Sequence, residues 1–273
     1  MDNIEMNKLF TISKIIRKEI VKMAYISKSS HVGSALSCVD ILVTLYFKYM
    51  NLNKDNICDE NRDVFILSKG HACSVLYSVL AHKGFFSVDM LDTYCKDGTK
   101  LGGHPSKQVM LGIEASTGSL GHALSIGCGM EIANRGKMCK TIILMGDGEC
   151  NEGSVWEAAM FASSNHLSNL IAIVDNNGLQ GLGKSKEISG EKSLKDKWEA
   201  FGWNVKEIDG NDYASIDEGL KLAYNNDTGK PFALIAHTVK GKGVSFMENK
   251  LEWHYKSPNK QQYEKAIREL DSL

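Results

Sequence analysis

The chain has 273 residues, 43% hydrophobic and 24% charged, the profile of a folded globular protein and not of a disordered one. Lys and Arg (32) nearly balance Asp and Glu (33), so no sequence-wide positive field would hold a nucleic acid, whose affinity comes mostly from paired phosphates. No window approaches the run of about 18 apolar residues that a spanning helix needs, and residues 1–20 mix charged with apolar side chains, so neither a membrane span nor an export signal is expected.

The seven cysteines, Cys38, Cys58, Cys73, Cys95, Cys128, Cys139 and Cys150, are odd in number, scattered and never spaced C-x-x-C. That usage points to reduced thiols and a cytoplasmic location, not to a disulfide framework or a zinc site. With three prolines and no Ser/Gly/Pro-rich run, no linker is visible, and residues 1–273 are read as a single domain.

Apolar runs bounded by Gly, Asp or Asn alternate with amphipathic stretches, which predicts an α/β fold with a doubly wound, mainly parallel sheet flanked by helices. In chain order the pattern predicts helices over 9–28 and 38–49, a strand over 63–67 and helices over 73–83 and 120–135. A strand over 141–145, a helix over 155–164 and strands over 170–174 and 203–208 follow. The turn Asp209-Gly-Asn-Asp212 then feeds a helix over 213–226 with an Asp near its start, before a strand over 232–236 and a helix over 262–270. The strands are almost continuously apolar, as expected when both faces are covered. Sheets of this kind bind ligands where their strands end, at the carboxyl edge.

Two strand ends carry the strongest signal. The strand over 141–145 runs into Gly146-Asp147-Gly148-Glu149, and the next ends in Asp175-Asn176-Asn177-Gly178-Leu179. In a strand-helix-strand unit both ends lie on one edge, so the Asp147 carboxylate and the Asn177 amide oxygen would converge on one small ion. Magnesium suits such a site, because it prefers hard oxygen ligands and takes the rest from water and phosphate. Gly146 and Gly148 would let the backbone turn sharply and approach a phosphate, with the N-terminus of the helix from Val155 facing the anion. Either motif alone is an ordinary turn; joined by one crossover they describe a magnesium-diphosphate clamp.

This pair resembles the thiamine-diphosphate enzymes, and further stretches narrow the likeness to the transketolases. Ser30-His31-Val32-Gly33, Ser68-Lys69-Gly70-His71-Ala72, Gly103-His104-Pro105, Thr117-Gly118-Ser119-Leu120-Gly121, Gly146-Asp147-Gly148 through Glu152-Gly153, and Lys240-Gly241-Lys242-Gly243 with Trp253-His254 look like transketolase motifs in transketolase order. The resemblance runs from about Ile15 to Pro258 and is to the N-terminal subunit of a split transketolase. It implies thiamine diphosphate with Mg2+, or another divalent cation such as Ca2+ or Mn2+. Asp147, Asn177 and the Leu179 carbonyl would hold the metal, with Gly146 and Gly148 at the diphosphate. Leu120 and Leu179 would support the bent cofactor, Gly118 would lie near its aminopyrimidine, and Glu152 and Glu157 match acidic positions that communicate across the dimer.

The resemblance also places His31, His71, His104 and His254 around the reactive carbon, flanked by Lys69 and Lys240. Histidine suits this task because two-carbon transfer needs several proton movements near neutral pH. Each of the four sits beside Gly, Ser, Pro or Trp in an expected loop, whereas His82, His166 and His237 have no such setting and are read as structural. His122 and Ala123 follow Gly121 where many relatives have Gln and then Gly, which questions the tightness of that turn. Trp156, Trp198, Trp203 and Trp253 are expected in the core or at a dimer interface.

The implied activity is transfer of a glycolaldehyde unit from a ketose phosphate to an aldose. It requires a C-terminal transketolase subunit that carries the pyrimidine-binding domain and the catalytic Glu, in a heterotetramer with two copies of each chain. A thiamine-binding subunit of a 2-oxo-acid dehydrogenase and a non-catalytic homologue are the alternatives. The former lacks these histidine loops, and the latter would have lost Asp147 or Asn177. The sugars themselves are not legible.

Overall fold

The computed structural model describes residues 1–108, 110–190 and 193–273. Five strands, β1 (Val64–Leu67), β2 (Thr141–Gly146), β3 (Leu170–Asn176), β4 (Asn204–Asp209) and β5 (Phe232–His237), form one parallel sheet in the order β1-β2-β3-β5-β4. All five predicted strands are present, with ends shifted by two residues or fewer. β1, β2, β3 and β5 are buried along nearly their whole length, and β4, whose run is Asn-Val-Lys-Glu-Ile-Asp, is a half-exposed edge.

The helices are α1 (Asn3–Ser27), α2 (Val32–Ser37), α3 (Val39–Thr44), α4 (Cys73–His82), α5 (Ala123–Ala133), α6 (Gly153–Ser164), α7 (Ser185–Ser189), α8 (Leu194–Ala200), α9 (Tyr213–Tyr224) and α10 (Lys260–Ser272). Alternate strand residues feed two cores. Phe65, Leu67, Ile142, Leu144, Ile171, Ile173 and Leu234 face α1, α3, α4 and α9. Val64, Ile66, Ile143, Met145, Ala172, Val174 and Ile235 face α5, α6 and α8. This is the period-2 alternation of a sheet covered on both sides.

Three predictions need correction. The helix expected over 38–49 starts one residue late and changes pitch: α3 covers Val39–Thr44 and winds on through Leu45–Tyr49 as a π-helical turn, while Cys38 (φ −103°, ψ 12°) breaks it from α2. One turn before the break, the Ser34 carbonyl is engaged by Lys69 Nζ (2.8 Å) and Ser37 Oγ (2.9 Å). The helix expected from Val155 begins at Gly153, and a 3-10 turn over Gly148–Asn151 separates it from β2. Helices α2, α7 and α8 were not anticipated, because seven residues or fewer give too little periodicity to detect. The expected Asp at the start of α9 is there: Ser215 N donates to Asp212 Oδ2 (2.8 Å).

The register pairs Gly146 with Asp175 and Asp175 with Ala236, so β2, β3 and β5 end level with one another. From β3 the chain passes over the position of β5 to β4 and then returns, so the direction of strand addition reverses there. The ends of β1, β2, β3 and β5 therefore open into a crevice at the carboxyl edge.

A candidate cofactor pocket at the carboxyl edge

One residue beyond β2, Asp147 is buried. Its Oδ1 accepts from Gly148 N (2.9 Å) and its Oδ2 from Gly178 N (3.0 Å) and Ser185 Oγ (2.6 Å). Burial pushes this carboxyl above the usual carboxylate range even though Ser185 and Gly148 donate to it. A cation would relieve that desolvation. Beyond β3, Asn177 Oδ1 accepts from Leu179 N (3.1 Å), and the Leu179 carbonyl accepts from Lys240 Nζ (3.0 Å) while keeping a second lone pair. Asp147, Asn177 and Leu179 line one cavity of about 410 Å³. Among the described residues no group of three or more His, Cys, Asp or Glu is placed to hold a metal. A set of one carboxylate, one amide and one carbonyl suits a hard cation that keeps water and phosphate ligands.

Neither Gly146 nor Gly148 has a positive φ, so the sharp turn expected at these glycines is not why they are needed. The reason at Gly148 is space: a Cβ there would lie 3.0 Å from Gln180 Cγ. Gly118 does require glycine (φ 145°), and a Cβ on it would stand 2.8 Å from His104 Cδ2, so the bare backbone seats that ring. Thr117 Oγ1 ties the same loop to β1 through the Leu67 carbonyl (2.7 Å).

His31, His71 and His254 cluster, with ring centroids 5.1, 4.8 and 5.6 Å apart pairwise, and His104 lines the same cavity. The expected loops are only partly loops: His71 and His254 lie in 3-10 turns, and His31 holds a left-handed conformation (φ 69°) at the start of α2. Burial, reinforced by Lys240 and Lys69, lowers His254 to about 3. Burial with the neighbouring cations and imidazoles also lowers His31, and His71 well below its ordinary value. All three rings are therefore neutral at neutral pH. Burial lowers Lys240 to about 8, which leaves it mostly cationic at pH 7. Its Nζ lies 3.1 Å from His254 Nδ1, so it donates there and the His254 proton resides on Nε2. His31 Nδ1 is shielded from solvent and has no partner among the described residues.

Lys69 differs from its expected place as a flanking ligand. It lines the cavity floor, but its ammonium is committed to Asp175 in a fully buried ion pair, with a further bond to the Ser34 carbonyl (2.8 Å). Asp175 also accepts from Ser37 Oγ (2.6 Å), Asn177 Nδ2 (3.3 Å) and Thr238 Oγ1, linking α2, β3 and β5 beneath the site. Sequence reasoning missed Asp175, although it directly precedes the Asn-Asn-Gly turn. It also missed Glu149, next to the Gly-Asp-Gly motif. That buried side chain accepts from Ser68 Oγ, Gly121 N (2.8 Å) and Gly146 N (3.4 Å), bracing three loops around the cavity.

Leu120 and Glu152 line the cavity, but Glu157 does not: one turn further along α6 it is exposed beside Ile132 and Phe161. The turn questioned at His122 is held without a further glycine, because Ser154 Oγ donates to the Gly121 carbonyl (2.9 Å) and Glu149 accepts from Gly121 N. His122 itself is exposed, 3.1 Å from the Leu120 carbonyl, and Ala123 is buried. Trp198, Trp203 and Trp253 are buried, and Trp156 is half-buried against Trp198.

Residues 10–270 match the family described as transketolase, thiamine diphosphate binding domain. The chain belongs to the transketolase family. An apulose-4-phosphate transketolase subunit from Phocaeicola vulgatus is 44% identical over 257 residues, 93% of this chain and 90% of its own. The 6-deoxy-6-sulfo-D-fructose transketolase subunit SqwG of a Clostridium species is 40% identical, over 95% of this chain and 94% of its own. Among solved structures, transketolase from Leishmania mexicana superposes with a TM-score of 0.90 at 26% identity, over 96% of this chain. This transketolase-family chain spans 41% of the length of that protein and 39% of human transketolase, to which it is 38% identical. The cavity fits the cofactor of the family: a desolvated carboxylate for the metal, the backbone of Gly148, and His31 Nδ1 with no partner among the described residues all border it.

Proposed function

We propose that this chain is the thiamine-diphosphate and magnesium subunit of a two-chain transketolase, moving a two-carbon glycolaldehyde unit from a ketose phosphate to an aldose. The observation that carries this reading is the meeting of Asp147, Asn177 and Leu179 with four histidines in one cavity. The relatives of nearly equal length support it, since they are named as transketolase subunits. Nothing in those names favours a 2-oxo-acid dehydrogenase.

In this reading Asp147, Asn177 and the Leu179 carbonyl hold the metal, and the Gly148 backbone meets the diphosphate. Thiamine diphosphate, when bound, supplies the electron sink that sugar cleavage requires. Leu120 and Leu179 form its apolar support. The neutral rings of His31, His71 and His254 accept or return hydroxyl protons of the sugar, and His104, seated on Gly118 in the same cavity, does the same. Lys240 fixes the His254 tautomer and balances phosphate charge. Residues 1–273 act as one domain in the cytoplasm. A partner subunit supplies the pyrimidine-binding domain and its Glu, in a heterotetramer. The sugar is left open, because the named relatives act on apulose 4-phosphate and on a sulfonated fructose.

The test is to purify the chain alone, saturate it with Mg2+ and thiamine diphosphate, and follow ketose cleavage and hydrogen–deuterium exchange at the thiazolium carbon. The lone chain should be silent, and turnover should begin once the partner subunit is mixed in. Exchange well above free cofactor from the lone chain would overturn this division of labour.

A further inference from the structure

Gln180 is a polar side chain of the cavity wall that the reading above does not use. It sits in a tight hairpin: Leu179 bridges Lys184, and Gln180 N donates to the Gly183 carbonyl (2.8 Å). The hairpin lays the carboxamide over Gly148, where Cγ, Cδ and Oε1 lie 3.0, 3.2 and 3.3 Å from the point a Gly148 Cβ would occupy. Its Oε1 accepts from Asn151 Nδ2 (3.2 Å). Nε2 is left shielded from solvent with no acceptor among the described residues. A buried amide donor is costly unless an acceptor meets it. The Asp147 carboxylate of the same cavity already accepts from three donors. An anionic oxygen held at the metal is the acceptor that completes this arrangement.

We infer that Gln180 is a further ligand of the diphosphate, donating from Nε2 to a phosphate oxygen beside Gly148. This rests on the cofactor reading above. Gln180 was not singled out by sequence reasoning, because Leu-Gln-Gly reads as an ordinary turn. The hairpin would then act as a clamp: Leu179 offers a carbonyl to the metal and the next residue a donor to the anion.

The test measures binding, not turnover. In the full chain, by itself and with its partner, thiamine diphosphate and inorganic diphosphate are titrated calorimetrically at saturating Mg2+ against wild type, Gln180→Leu and Gln180→Glu. Loss of one hydrogen bond to a charged group should raise Kd about 10-fold for both ligands in Gln180→Leu. Gln180→Glu, of the same shape but bearing a charge, should raise it about 100-fold. Unchanged thermal unfolding of the ligand-free variants would show that the fold is intact. Unaltered Kd for both ligands, or a raised KM for the sugar with Kd unaltered, would overturn the inference alone. A wild-type chain that binds neither ligand would overturn the cofactor reading itself.

Discussion

Asp147 is the residue on which most of the site depends, because it is both the proposed metal ligand and an acceptor for Gly148, Gly178 and Ser185. Asp147→Ala should abolish magnesium-dependent binding of thiamine diphosphate, since the diphosphate would lose its main charge neutraliser. Calorimetry that found wild-type affinity in the variant would remove Asp147 from the metal site. For His104 and His254 the expectation differs. Placed proton transfer is typically worth about 10²-fold or more, so His104→Ala and His254→Ala should each lower kcat/KM by about that factor in the assembled enzyme. Cofactor affinity should stay near wild type, and a variant that keeps full turnover would not be catalytic. Residues of this kind were legible because their types and neighbours carry the chemistry. Glu157, expected to communicate across the dimer, lies outside the cavity on the exposed face of α6 beside Ile132.

The element that governs the site is the junction of α2, β1, β3 and β5 around Lys69 and Asp175. Removing one partner of a buried ion pair strands the other charge, at a cost of about 3–5 kcal/mol. Asp175→Ala should destabilise the chain by that amount in urea unfolding, and a change under about 1 kcal/mol would mean that the pair is not holding the strand ends together. A double substitution to Lys69→Met and Asp175→Leu should recover much of the stability, because an apolar pair of similar volume avoids the desolvation cost. The strands themselves were legible, since continuous apolar runs of four to seven residues bounded by Gly, Asp or Asn match their observed limits. The break at Cys38 between α2 and α3 was not. Nothing local to Cys38 announces that the Ser34 carbonyl meets the ammonium of Lys69 from another loop.

At the scale of the whole molecule, the neutral histidine cluster makes stability depend on pH. The ordinary histidine value is 6.5, and all three folded values lie below it, that of His254 at about 3. As pH falls, the unfolded chain takes up protons first. The contribution is therefore complete above about pH 6.5 and is lost as pH drops towards the folded values. Each ring can contribute at most about 1.4 kcal/mol per pH unit, less where it is half-exposed and screened by solvent. Scanning calorimetry of the cofactor-free chain should show Tm falling between about pH 6.5 and about pH 5. His254→Gln should flatten that fall, and a slope unchanged by the substitution would show that the ring does not titrate this way.

The sequence by itself determined the α/β class, the strand ends that carry Asp147 and Asn177, and the loops of His31, His71, His104 and His254. For Asp147, Asn177 and His71 the motif directly follows an apolar run, so folding the strand places the motif at its end; His31, His104 and His254 were read from their motifs alone. Only the tertiary structure decided that Lys69 is spent on Asp175, 106 residues away, that Glu149 braces the Ser68 and Gly121 loops, and that Gln180 covers Gly148. Those partners meet through space across the crevice between strands. Whether a buried charge or amide is paired depends on which groups the packed sheet brings within hydrogen-bond reach, and no local pattern encodes that distance.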